Sequence, residues 1–160
     1  MNFSKVEVCD LINGSGIRTT LFVSGCDLGC KGCFNVAAKN FKAGQEFTQE
    51  TIDNILHQTD NPYCAGLSIL GGEPLHRKNI ETVLDLVTQF RERFGDSKSI
   101  WVWSGYALDE LRGRSSFVVD NLLESIDVLV DGRFVESLKD PTLEFRGSSN
   151  QRILKRGVDF

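Results

Sequence analysis

The chain has 160 residues, 41% hydrophobic and 25% charged, enough for one domain with a sizeable core and ordinary for a globular protein. Its formal net charge of −4 argues against nucleic acid or an anionic membrane as the main partner. No apolar run of signal-peptide length stands among the first residues, and no later stretch could span a bilayer, so the expected location is the cytoplasm.

In chain order, residues 19–24 are rich in β formers and end at Gly25, just before a group of cysteines. Thr48 predicts the N-cap of a helix over residues 49–58, with Ile52, Ile55 and Leu56 on one face. Residues 67–70 read as a short buried strand running into Gly71 and Gly72. A helix over residues 78–94 follows from the spacing of Ile80, Val83, Leu84, Val87, Phe90 and Phe94, with Gly95 at its end. Residues 100–103 form the third predicted strand, ending at Ser104 and Gly105, and a helix pair is expected around residues 107–111 and 117–123. Residues 126–130 make a fourth strand, ending at Asp131 and Gly132.

Strands that are nearly continuous apolar runs, alternating with helices, predict an α/β fold with a parallel sheet. At 160 residues the chain is too short for eight strand–helix units, so the expectation is a single domain, residues 1–160, built as a partial (β/α) barrel. Ligands collect at the carboxyl ends of such strands. The turns at Gly25, Gly71, Ser104 and Asp131 are therefore expected to face one cleft.

Cytosolic disulfides are rare, so five cysteines read first as metal ligands or reactive thiols. Cys26, Cys30 and Cys33 are separated by three and then two residues, whereas Cys9 and Cys64 stand apart and read as inert buried thiols. Thiolates suit iron–sulfur clusters and zinc, and a loop containing Gly29 and Gly32 can converge three of them on one centre. Three ligands would leave one iron of a four-iron cube open. Zinc, with a fourth ligand from His57, His76, Cys9 or Cys64, is the other reading of this loop. The second motif is Gly71-Gly72-Glu73-Pro74. Its glycines allow close backbone approach to a ligand, Glu73 offers a carboxylate to an ammonium group, and Pro74 fixes the exit of the turn.

Together, the three-cysteine loop and the GGEP turn resemble the radical S-adenosylmethionine superfamily. Residues 10–26, 30–35, 100–106, 109–111, 127–134, 138–141 and 146–152 are similar to the activating enzymes of anaerobic ribonucleotide reductase, and the likeness covers nearly the whole chain. Many superfamily members place an aromatic residue just before the third cysteine; here Gly32 stands there and Phe34 lies on the other side, an arrangement this activating family shares.

The resemblance implies a [4Fe–4S] cluster on Cys26, Cys30 and Cys33, with the open iron chelated by S-adenosylmethionine. Gly71, Gly72 and Glu73 would form the turn that receives the cofactor's amino group. Gly32, Cys33 and Phe34 would border the adenine, Phe34 being either an apolar wall or a core residue. Ser104 and Asp131 would touch ribose or the methionine carboxylate, or serve as turn caps. Arg18 and the 146–152 segment, with Arg146 and Arg152, would bind cofactor or partner, or be solvated surface. An electron would split the sulfonium into methionine and a 5′-deoxyadenosyl radical, which takes a hydrogen from a glycine in the large subunit of anaerobic ribonucleotide reductase. That subunit is then a required partner, beside an electron donor such as a flavodoxin, and the family suggests a homodimer. The alternatives are an activase of another glycyl-radical enzyme and a zinc-stabilised interaction module; the tail from residue 127 to 152 separates the first alternative.

Replacing any one of Cys26, Cys30 or Cys33 by Ala should abolish the intact four-iron cluster, whereas Cys9→Ser and Cys64→Ser should keep it. Iron counting and electron paramagnetic resonance on the five variants check this.

Overall fold

Strand β1 (Asn2–Asp10) runs out and β2 (Ile17–Val23) returns beside it, antiparallel, in the computed structural model, which describes residues 1–160. After the cysteine loop come the two-residue strand β3 (Gln45–Glu46) and helix α1 (Gln49–Thr59), where the Thr51 hydroxyl accepts a hydrogen bond from the Thr48 N–H at 3.3 Å. The chain then alternates: β4 (Cys64–Gly71), α2 (Ile80–Phe94), β5 (Ser99–Ser104), α3 (Leu108–Arg112), α4 (Phe117–Ser125), β6 (Val128–Asp131) and finally β7 (Arg152–Lys155). All strands join one seven-stranded sheet in the order β3-β1-β2-β4-β5-β6-β7.

The four central strands, β2, β4, β5 and β6, are parallel, as their mostly apolar and buried character leads one to expect. The flanks differ from the expected parallel sheet, because β1, β3 and β7 pair antiparallel. These strands carry little pattern: β1 exposes Ser4, Lys5, Val8 and Cys9, and β7 buries only Leu154. Tertiary pairing, rather than local periodicity, makes them strands.

The sheet separates its two faces by the alternation of side chains along each strand. Leu21, Val23, Leu67, Ile69, Ile100, Val102 and Leu129 pack with the apolar faces of all four helices. Trp101, Val128 and Val130 lie on the other face, with Trp103, Phe145 and Ile153 against them. In α2, Leu86 is fully buried while Leu84 and Phe94 are only partly so, so its buried stripe is shifted from the predicted one. The helix also starts at Ile80 rather than residue 78. No helix is long and apolar enough to cross a membrane.

Arg18 is an internal staple, neither solvated nor free for a cofactor. It is 1% exposed and sits on the face away from the helices. Nε donates to Ser68 Oγ at 2.7 Å, one terminal nitrogen to Ser15 O and Ser99 Oγ, and the other to Leu67 O and Ser99 O at 2.8 Å each. The guanidinium also lies 5.5 Å from the Trp101 ring. Burial pulls its pKa down to about 10, yet every N–H has an acceptor, which is what makes a buried charge tolerable. One side chain thus ties β2, β4 and β5 together.

Arg18→Met removes these donors and strands the Leu67 and Ser99 carbonyls. Chemical unfolding of the cluster-free protein should show a loss of about 2–4 kcal/mol.

Candidate functional site

The carboxyl ends of the parallel strands are sewn together by their own backbone. The Gly72 N–H donates to Val23 O at 2.7 Å and the Glu73 N–H to Gly25 O at 2.8 Å, while the Gly25 N–H donates to Ala38 O at 2.7 Å. Gly71 has φ +115°, and a Cβ on Gly72 would stand 2.6 Å from the Gly25 carbonyl oxygen. The paired glycines therefore serve close approach of one turn to another, which holds the cysteine loop against the GGEP turn.

Glu73 is the node of this region. It is 1% exposed. Oε1 accepts from Ser104 Oγ at 2.8 Å and from the Leu75 N–H at 2.9 Å, and Oε2 accepts from the Gly105 N–H at 2.7 Å. Burial pushes its pKa up from 4.5 to about 7, against the pull of these hydrogen bonds and of the Arg114 charge. A Cβ on Gly105 would meet Leu28 at 2.4 Å, so a side chain of the cysteine loop caps the donor that Glu73 uses.

Cys26, Cys30 and Cys33 leave the end of β2 on one irregular loop, all of them half-buried free thiols. The Cys33 N–H donates to Cys30 O. Burial pushes the Cys26 thiol up, and the neighbouring charges of Glu73, Cys30 and Cys33 act in the same direction, so the three thiols and the buried carboxylate share one neighbourhood. Their side chains are not drawn into a closed metal-ligand set. The donor chemistry nevertheless fits an iron–sulfur cluster: three soft ligands, none in a disulfide, on a loop whose Gly29 and Gly32 take positive φ.

The four candidate fourth ligands for zinc lie elsewhere or are engaged. Cys64 pairs with Ile17 at the start of β2, the edge of the sheet opposite the cysteine loop. Cys9 belongs to that same far edge, and it is exposed with φ +58° rather than buried as expected. His57 is exposed on α1. His76 uses both ring nitrogens, Nε2 on Asp27 at 3.0 Å and Nδ1 as acceptor of the Lys78 N–H at 3.2 Å.

Phe34 is 93% exposed, so it is no core residue. Asn35 donates to Gly71 O at 3.3 Å, tying the far end of the cysteine loop to the glycine turn. Gly32 lies against the Glu136 side chain, and Lys31 pairs with Glu136 at 3.6 Å. Ser104 is buried and donates to Glu73. Asp131 is also buried; Oδ2 accepts from the Leu108 N–H at 2.7 Å, and the carboxylate pairs with Arg152. Arg146 donates to Gln151 O, while Gln151 Nε2 donates to Gly132 O and Asn150 Nδ2 to Arg133 O. The 146–152 segment is thereby folded back on the residues that leave β6. Sequence reasoning gave no role to Asp27, Leu28 and Asn79 and read His76 only as a possible zinc ligand, because the partners that define them (His76 with Asp27, Gly105 with Leu28, Ser24 with Asn79) are remote in sequence.

Residues 12–154 match the model of the 4Fe–4S single cluster domain family, a span that contains the cysteine loop and the GGEP turn. The chain is 45% identical over 155 residues to the anaerobic ribonucleoside-triphosphate reductase-activating protein of Escherichia coli, covering 96% of this chain and 97% of that one. Proteins of the same name from Vibrio cholerae and Pasteurella multocida are 43% and 39% identical, over 96% and 97% of this chain and 97% and 98% of theirs. The chain belongs to the family of anaerobic ribonucleoside-triphosphate reductase-activating proteins.

Glu73 sets a pH dependence of stability. Its folded pKa of about 7 lies above the ordinary 4.5, so the unfolded chain releases this proton first. Stability is therefore full below pH 4.5 and falls as pH rises to 7, by an amount on the order of 3 kcal/mol. Thermal unfolding of the cluster-free protein between pH 4.5 and 8 should show this loss in wild type and not in Glu73→Gln, although that variant forfeits the bond from Gly105.

Proposed function

We propose that this chain is a radical S-adenosylmethionine activase that places a glycyl radical on the large subunit of anaerobic ribonucleotide reductase. The observation that carries the reading is the contact of the three-thiol loop with the Gly72–Glu73 turn at the carboxyl edge of the parallel strands, in a chain whose relatives bear the activating-protein name. Cys26, Cys30 and Cys33 would hold a [4Fe–4S] cluster. The bound cluster and cofactor supply the electron transfer and the radical chemistry; the chain supplies position and shielding.

Glu73 receives the cofactor's ammonium with the lone pairs its three donors leave free. A cation there favours the ionised carboxylate, so Glu73 gives up a proton as it binds, and binding strengthens as pH rises through about 7. Ser104 orients Glu73 rather than touching the ligand, and Asp131 holds the start of α3 in the same supporting sense. Gly71 and Gly72 shape the turn, while Gly32, Cys33 and Phe34 border the adenine. The exposed Phe34 ring, next to Cys33 in the chain, is free to cover a planar base. The sheet is read as part of a single-domain partial barrel acting in the cytoplasm, as a homodimer fed by a donor such as a flavodoxin.

Under anaerobic conditions with a strong reductant, the iron-loaded protein should cleave S-adenosylmethionine to methionine and 5′-deoxyadenosine. Adding the large reductase subunit should give a glycine-centred doublet in electron paramagnetic resonance, and replacing that subunit's target glycine by alanine should abolish the doublet. A preparation that cleaves the cofactor yet leaves a competent reductase without a radical, while activating another glycyl-radical enzyme, would overturn the partner assignment.

A further inference from the structure

The residues that follow the GGEP turn have no assigned part in the site, and two of them grip the chain on either side of Cys26. Asn79 is 1% exposed and its Nδ2 donates to Ser24 O at 3.1 Å, to Gly25 O at 3.4 Å and to Glu73 O at 3.0 Å. His76 is 3% exposed and meets Asp27 at 3.0 Å. Because Nδ1 accepts the Lys78 N–H, the ring proton facing Asp27 is on Nε2, and the imidazole donates to the carboxylate. The ring is held in turn by Phe41, whose centroid lies 4.6 Å away and whose ring also backs Gly25.

The rest of the cysteine loop has little to hold it. Between Cys26 and Cys33 its tethers are the Cys33 N–H on Cys30 O, the solvent-exposed Lys31–Glu136 pair and the packing of Leu28 on Gly105, with the Asn35 amide on Gly71 O just past Cys33. Only one side-chain hydrogen bond joins residues 26–33 to a buried partner, and it is the one from His76 to Asp27. Asp27 itself is largely exposed, with 60% of its side chain open to solvent, so it does nothing for the core.

We propose that Asp27 and His76 form a clamp that fixes the peptide next to Cys26 and so presets the first thiolate for the cluster, His76 acting as a positioning residue. The clamp rests on the assignment of Cys26, Cys30 and Cys33 as cluster ligands. A ligand loop held in its bound shape loses less freedom when the cluster forms, and partners one shell out from a metal ligand typically change its affinity by about 10–100-fold. The bond here is single and open to water on one side, so the effect belongs at the low end of that range.

The test is release of iron to a ferrous chelator, without air, from cluster-loaded protein, with electron paramagnetic resonance of the reduced cluster alongside. Asp27→Leu should release iron about tenfold faster and alter the resonance line shape, while the cluster-free protein keeps its melting temperature. Asp27→Asn retains an oxygen acceptor for Nε2–H and should behave as wild type. His76→Phe should match Asp27→Leu, and the double variant should be no faster than either, since both break one contact. His76 is buried, so the decision rests on the two Asp27 variants. Release from Asp27→Leu at the wild-type rate, or from Asp27→Asn at the Asp27→Leu rate, overturns the clamp while leaving the cysteine assignment standing. A wild type that takes up no cluster overturns both.

Discussion

The carboxylate of Glu73 accepts hydrogen bonds from Leu75, Ser104 and Gly105, while its backbone N–H reaches back to Gly25. Three turns at the ends of β2, β4 and β5 are thereby fixed to one buried group. Removing it would leave the Gly105 N–H and the Ser104 hydroxyl without their acceptor inside the protein, and would loosen the cysteine loop at its root. The cost of holding an acid there is visible in its raised pKa of about 7. A carboxylate so poorly solvated by water would gain much from an arriving cation.

Glycine makes that arrangement sterically attainable. Any side chain on Gly72 would collide with the carbonyls of Gly25 and Ala38, pushing the two turns apart. The helix approach then finishes the job: Asn79 and His76, in the segment between Pro74 and α2, bind Ser24, Gly25 and Asp27. Support for the cysteine loop thus comes from the residues after the GGEP motif as much as from the motif itself. On the far face, Arg18 holds β2 to β4 and β5, so the strands that deliver these turns are locked in register.

Much of this was legible in the chain alone. The central strands announce themselves by largely apolar runs, and α2 by the spacing of its apolar residues, because a buried element must match its own period to the core. The three cysteines and the GGEP turn declare a chemistry because residue type and spacing are themselves the signal. Local pattern failed where the deciding partner is distant. Strand β7 has one buried residue and exists because it pairs with β6, and Leu86 outranks Leu84 in the core because the face that α2 turns inward is fixed by its tertiary neighbours.

By itself the sequence determined the α/β character of the chain and the family to which it belongs, and it singled out three closely spaced thiols, all of which depend on residue identity and short-range spacing. The tertiary structure alone decided that Arg18 is an internal staple, that Asp131 pairs with Arg152, that Phe34 stands in solvent and that His76 faces Asp27. These are questions of burial and of partners 21 to 81 residues apart in sequence. A charged or aromatic residue looks the same in sequence whether folding surrounds it with acceptors or with water.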